Sequence, residues 1–227
     1  MFAWPVSLWE WITANAAVFS GIVSFGMLLI WGIYLQLLLH NFRMQQSPRI
    51  VINRGRGRDV NSLCLISNMS VQAIFVEAVV ARLETSHGTW FSDVTDVLDQ
   101  QGESSSRDIG SGEHQLARVT RQGPLKSGEY MEAGMFGDML QQVAHEQGIQ
   151  LDEDYKSGEE QLELRSLEIG LIAVFGSENG PIGARRVFDL ELDDNHRLLL
   201  KPRDLTTKQL RSRRARKEIK RWQKVLR

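Results

Sequence analysis

The N-terminal part of the chain contains a long run without charge. Between Glu10 and Arg43 there is no Asp, Glu, Lys or Arg, and residues 16–39 are the most apolar part of this run. As an α-helix, residues 16–39 would be about 36 Å long, and the hydrocarbon core of a bilayer is about 30 Å thick. No basic residue precedes the run and no A-x-A site follows it, which disfavours a cleaved signal peptide. The pattern predicts a permanent transmembrane helix over residues 16–39.

Small residues recur along this predicted helix at a spacing of four. Such rows allow two helix backbones to approach closely, and a polar side chain among them can donate a hydrogen bond to a neighbouring helix. The predicted helix-packing residues are Ala16, Ala17, Ser20, Gly21, Ser24 and Gln36. The rows therefore predict either a homo-oligomer or packing on another subunit. Small residues are also common in membrane helices in general, so the rows can equally be without functional meaning.

From residue 49 the apolar positions follow the period of a β-strand. The predicted strands lie at 49–53, 62–68, 72–83, 88–91, 161–166, 168–175, 184–194 and 196–202. Strand 72–83 is apolar on both faces, which is typical of a central strand. In 184–194, Phe188 and Leu190 face one way and Val187 and Asp189 the other. Short strands at this spacing predict a mainly β domain over residues 59–203, with an immunoglobulin-like sandwich by analogy of pattern.

Residues 97–160 interrupt the predicted strands with acidic sequence. They contain 13 acidic and five basic residues. Within them, residues 130–148 have helical spacing, with Met131, Met135, Met139 and Val143 on one face and Gly148 near the end. The pattern predicts an acidic, partly helical insertion whose remainder is a mobile loop. We expect this insertion to contact a protein partner.

Charge is divided into blocks along the chain, although the net charge is only −1. Residues 43–58 carry five Arg and no acid, residues 59–203 carry 25 acidic and 12 basic residues, and residues 204–227 carry ten basic and two acidic residues. The positive-inside rule then predicts a short segment 1–15 outside and the chain from the basic juxtamembrane segment 40–58 onward in the cytoplasm.

The basic C-terminal segment is predicted to be an amphipathic helix that begins near residue 207. Leu210, Ile219, Trp222, Val225 and Leu226 form its narrow apolar face. Three partners suit such a helix, in this order: the anionic inner leaflet, an acidic protein surface of the same chain or of a partner, and nucleic acid. A solvated helix without a dedicated partner is the fourth possibility.

The membrane interpretation assigns particular residues to the lipid surface. Trp222 is expected at the level of the headgroups, and the cations are expected to attract anionic lipid. The predicted contact residues are Arg43, Arg49, Arg54, Arg56, Arg58, Arg213, Arg214, Arg216, Lys217, Lys220, Arg221 and Trp222.

No arrangement of residues in the sequence indicates catalysis. The P-loop, the dinucleotide fingerprint and the nucleophile-elbow motif are all missing. Residues 152–163 begin like a calcium loop, but Lys156 and Ser157 occupy positions that require an oxygen ligand and glycine. Cys64 is the single cysteine and the five histidines are scattered, so no metal or cofactor is expected. Paired carboxylates remain open, because sequence does not reveal which acids lie close together.

These observations predict a non-enzymatic protein with one membrane span. We expect a cytoplasmic binding or scaffold module that holds a protein partner at the inner membrane face. Two alternatives stay open. One is a membrane-tethered contact to nucleic acid or the ribosome through the basic C-terminal segment, and the other is a small accessory subunit of a larger membrane complex.

Overall fold

The structure is a computed structural model that describes residues 10–11, 13–45, 47–96, 120–152, 154–156, 162–176, 180–195 and 197–226. The chain divides into two compact units, residues 1–46 and residues 47–227. Part of the predicted insertion, residues 97–119, lies outside the described residues, as does the start of the predicted outer segment.

The first unit contains helix α1, Ala16–Gln45. Its section Ala16–Phe42 is long and apolar enough to cross a membrane, and a signal sequence near an N-terminus meets the same criteria. The helix starts where predicted and continues six residues beyond the predicted end at residue 39. All six predicted helix-packing residues are exposed, and a Cβ added at Gly21 would meet no atom within 4 Å.

The second unit contains two antiparallel sheets. In the smaller sheet β1, Ile50–Arg54, pairs with β2, Leu63–Asn68, and β2 pairs with β6, Tyr130–Met135. The larger sheet contains β3, Ile74–Thr85; β4, Gly88–Asp93; β5, Gly123–Leu125; β7, Leu164–Phe175; β8, Ile182–Leu192; β9, Leu198–Pro202; and β10, Lys208–Leu210. Its order is β10-β8-β7-β3-β4, with β5 on β3 and β9 on β8.

The main core lies between the two sheets and helix α2, Phe136–Glu146. Phe136 from α2 and Phe188 from β8 meet edge to face, with ring centroids 4.8 Å apart. Helix α2 begins without a side-chain cap, because carbonyls of the segment before β2 accept its first amides: Phe136 N–H bonds to Ser62 O and Gly137 N–H to Val60 O. The structure therefore confirms a mainly β domain with two antiparallel sheets.

Residues 120–146 differ from the prediction of an inserted loop and helix. Tyr130–Met135 is a strand that pairs with β2, so Met131 and Met139 do not share one helix face. The helix is limited to Phe136–Glu146, and Gly148 follows its end with φ of +75°, a conformation that glycine adopts without strain. Leu125 from β5 and the buried face of α2 belong to the main core, so this region is part of the domain.

Two further boundaries differ from the prediction. The runs 161–166 and 168–175 belong largely to one strand, β7, because Glu168 is buried in ion pairs and does not end the strand. Residues Lys208–Leu210, predicted as the first helical turn, form strand β10 on β8. The C-terminal helix, α3, therefore spans Arg213–Val225.

Candidate interaction surface on the C-terminal helix

Helix α3 starts at a polar cap directly after β10. Ser212 is the cap residue, and its Oγ accepts a hydrogen bond from Ala215 N–H at 3.1 Å. This bond satisfies one of the amides that the first helical turn leaves without a partner. Strand β10 is fixed by its pairing with β8, so the start of α3 is held at the edge of the larger sheet.

The apolar side of α3 is buried against the outer face of the larger sheet. Ile219 is fully buried and Trp222 is 6% exposed, and both pack with Val80 of β3 and Ile172 of β7. The rings of Trp222 and Phe91 lie with their centroids 6.4 Å apart. These residues form a second hydrophobic cluster, separate from the main core. The sheet is therefore covered on both faces where α3 lies.

Two glycines on neighbouring strands make room for α3. A Cβ at Gly170 of β7 would lie 2.8 Å from Cη2 of Trp222, and a Cβ at Gly183 of β8 would lie 3.1 Å from Cδ1 of Ile219. Any larger residue at these positions would displace the helix or the strand. The two glycines thus shape a shallow site on the sheet that fits the two large side chains of α3.

Ion pairs lie beside this apolar contact. Arg185 of β8 binds Glu218 of α3 at 2.7 Å and Glu168 of β7 at 3.2 Å. Arg82 of β3 binds the same Glu168 carboxylate at 2.9 Å. Burial raises the pKa of Glu168, and the two guanidinium groups oppose that shift. The contact between α3 and the domain therefore uses an acid of the tail and a base of the domain.

The opposite side of α3 carries a cation at every position whose exposure the structure describes. Its exposed residues are Arg214, Lys217, Lys220, Arg221 and Lys224, which we call the outward face. From the first to the last of them the helix rises by about 15 Å. Among the residues that the structure describes, none of these five has an ion-pair partner. Helix α3 thus presents a continuous positive surface to solvent, while its apolar side is packed on the larger sheet.

The predicted lipid-contact residues differ in their exposure and packing. Five of them fall on α3's exposed or half-buried positions: Arg214, Arg216, Lys217, Lys220 and Arg221. Trp222, predicted at the level of the headgroups, packs on the larger sheet and is 6% exposed. The side chains of Arg43 and Arg213 lie outside the described part of the chain.

The arginines of the predicted basic segment 40–58, which includes β1, lie in different environments. Arg49, Arg56 and Arg58 are exposed. Arg54 is half-buried and donates hydrogen bonds to the carbonyls of Leu200 and Arg58, so its guanidinium stabilises the contact between β1 and β9.

Polar side chains join the two sheets along β1, a feature that the sequence pattern did not predict. Gln209 accepts from Ile50 N–H at 3.1 Å and donates to Ile50 O at 2.6 Å. Thr207 does the same for Ile52, accepting from its N–H at 2.9 Å and donating to its carbonyl at 3.1 Å. The two side chains therefore satisfy the edge of β1 as a neighbouring strand would, and they fix the segment that leads into β10 and α3.

A buried arginine fixes the segment around β6. Arg121 is 4% exposed and donates hydrogen bonds to the carbonyls of Val94, Ala133 and Asp96. Burial lowers the pKa of Arg121, and the nearby acids raise it. Burial also raises the pKa of the Cys64 thiol to about 12. An inert thiol and a guanidinium that binds main-chain carbonyls form a structural centre.

No group of three or more His, Cys, Asp or Glu that could hold a metal ion occurs among the described residues. Comparison with protein-family models, with curated proteins and with solved structures gave no match.

Proposed function

We propose that this protein is a single-pass membrane protein whose cytoplasmic domain is a binding or scaffold module that holds a partner at the inner membrane face. Helix α1 would be the span, with the N-terminus outside, because the basic residues flank its C-terminal side. We propose an immunoglobulin-like arrangement for the β domain, supported by two antiparallel sheets that share a core. The proposed role is non-enzymatic.

The observation that carries this proposal is the outward face of α3. Its five cations are held on a helix that is docked by Ile219 and Trp222, so the positive surface exists before any partner binds. Preorganised charge attracts an anionic partner without the cost of folding a disordered tail. A surface of this kind suits a protein that attaches something to the membrane it is anchored in.

Two measurements test the proposal. The first is topology. In a Leu205→Cys variant the new thiol is at a position that is 98% exposed, and the native Cys64 is buried. A membrane-impermeant maleimide should label it only after the membrane is permeabilised. Labelling in intact cells would reverse the proposed orientation.

The second measurement is crosslinking and affinity purification of the full-length protein from gently solubilised membranes. We expect a defined protein partner. The test variant replaces three outward lysines, K217Q, K220Q and K224Q, and the matched control replaces three lysines elsewhere on the domain, K126Q, K156Q and K201Q. RNA or ribosomes that are recovered with the wild type and the control but not with the test variant would favour the nucleic-acid alternative.

Substitutions in α1 test the accessory-subunit alternative. Leucine at Ser20, Ser24 and Gln36 would disrupt a complex that packs on the row of small residues. If these changes release every co-purifying protein, the partner binds the helix in the membrane, and if they release none, it binds the cytoplasmic domain.

A further inference from the structure

Basic amphipathic helices usually bind membranes by placing their apolar face in the boundary between headgroups and acyl chains. Helix α3 does not have that face available. Ile219 and Trp222 are buried on the sheet, in the site shaped by Gly170 and Gly183. Insertion would move the helix face into lipid but leave the sheet surface beneath it exposed to water, and it would separate Glu218 from Arg185.

We infer that the outward face of α3 binds the surface of an anionic phospholipid bilayer while α3 stays docked, by charge alone and without insertion. This inference deepens the proposed function, on which it rests, by naming the surface with which the module lies at the membrane. The ligand is a set of anionic headgroups, such as those of phosphatidylserine.

Charge and shape favour a bilayer over nucleic acid. The five cations lie on one side of the helix, and Glu218, the one acid of α3, is half-buried and paired with Arg185, which suits a plane of mobile headgroups that needs no fixed register. Binding of single-stranded nucleic acid uses aromatic rings on which bases stack, and the one aromatic residue of α3, Trp222, is covered by Phe91 and the sheet. Because α1 would tether the same chain to a bilayer, α3 would meet the headgroups at a high effective concentration.

The test measures binding in trans. Full-length protein is placed in nanodiscs of phosphatidylcholine, and its co-flotation with separate vesicles is measured, either of phosphatidylcholine alone or with about one third phosphatidylserine. Each surface cation contributes about a fivefold factor to binding, so loss of three lysines should weaken it about 100-fold. We expect this loss for K217Q/K220Q/K224Q and not for the matched control K126Q/K156Q/K201Q. Equal binding to neutral vesicles, or equal loss in both variants, would overturn the inference.

A second readout separates docking from insertion. Vesicles with brominated acyl chains quench only those tryptophans that enter the vesicle, because the nanodisc lipids are not brominated. We expect binding of the wild type without quenching, and release at 0.5 M salt. In Gly170→Ala, where α3 undocks more often, we expect stronger quenching and a larger salt-resistant fraction of binding than in the wild type. Quenching of the wild type to the same extent would show that α3 inserts and would refute the docked mode.

A competition assay tests the other class of partner. Polyuridylic acid is added to the wild-type protein bound to vesicles, at equal concentration of accessible phosphate. Continued binding to the vesicles supports the inference, and complete displacement would assign the outward face to nucleic acid. The competition assay does not depend on which side of the membrane the domain occupies. If it contradicts the inference, the proposed function is still tested separately, by the Leu205→Cys topology result and by the purified partner.

Discussion

Replacement of Gly170 by alanine adds one methyl group beneath α3 and so tests whether the helix is docked on the sheet. The added Cβ would lie 2.7 Å from Cγ2 of Val80, and 2.8 Å and 2.9 Å from Cη2 and Cζ3 of Trp222. Real Cβ atoms essentially never approach this closely, so one neighbour has to move. Val80 is held within central strand β3, whereas Trp222 is on a helix held by a small cluster. We expect Trp222 to give way.

The size of the effect follows from two opposing terms. Excess volume in a packed site costs about 1–3 kcal/mol. Alanine also restricts the unfolded chain relative to glycine, which returns about 0.4–1 kcal/mol. Because β7 stays folded when α3 undocks, the second term reduces only the loss for global unfolding, to about 1–2 kcal/mol, whereas the docking of α3 loses about 1–3 kcal/mol. Every 1.4 kcal/mol raises the population of the undocked helix about tenfold.

Limited trypsin digestion of the full-length protein in micelles measures this population. Cleavage between Lys217 and Lys224, mapped by mass spectrometry, should be about tenfold faster in Gly170→Ala than in the wild type. The control is Gly176→Ala, because a Cβ at Gly176 meets no atom within 4 Å. In a Trp222→Ala background the added cost of Gly170→Ala should shrink to the part caused by Val80. Unchanged cleavage in Gly170→Ala would refute the placement of α3 on the sheet.

Three other changes probe the domain on which α3 rests. Arg121→Met leaves two buried main-chain carbonyls without a donor, and we expect about 3 kcal/mol less stability in urea unfolding; an unchanged midpoint would contradict the role given to the guanidinium. Thr207→Val keeps the shape but removes both hydrogen bonds to Ile52, so the free energy of unfolding should fall by about 1–3 kcal/mol. Cys64, with its pKa raised to about 12, should resist maleimide at pH 8 until the protein is unfolded. Because the folded thiol binds its proton more tightly than the unfolded one, stability should fall as pH rises above about 9.

The strands could be predicted where burial differs between the two faces of a sheet. In β8 the inward positions Phe188 and Leu190 are buried and the alternate positions Val187 and Asp189 are half-buried, which is the alternation seen in the sequence. The turn between β3 and β4 also lies in the gap between the predicted strands 72–83 and 88–91. Local pattern was sufficient in both cases because the same residues decide burial and backbone conformation.

The remaining elements depend on contacts that are distant in sequence. Strands β5 and β10 have three residues each, too few for a period to appear. Tyr130–Met135 has helical spacing but pairs with β2, whose edge supplies its hydrogen bonds. The apolar face of α3 was visible in the sequence, but the surface that accepts it was not. That surface depends on Gly170 and Gly183, which become neighbours of α3 only in the folded sheet.

The structure also changes the meaning of the segregated charges. An acidic domain beside a basic tail suggests that the domain neutralises the tail, yet the ion pair that joins them runs the other way, from Arg185 of the domain to Glu218 of the tail. The docking itself rests on apolar contacts of Ile219 and Trp222, which salt does not weaken. The outward cations depend on Coulomb attraction, which salt screens. Rising ionic strength should therefore release an anionic partner from α3 while α3 remains on its sheet, and the two contacts of the tail can be separated by salt alone.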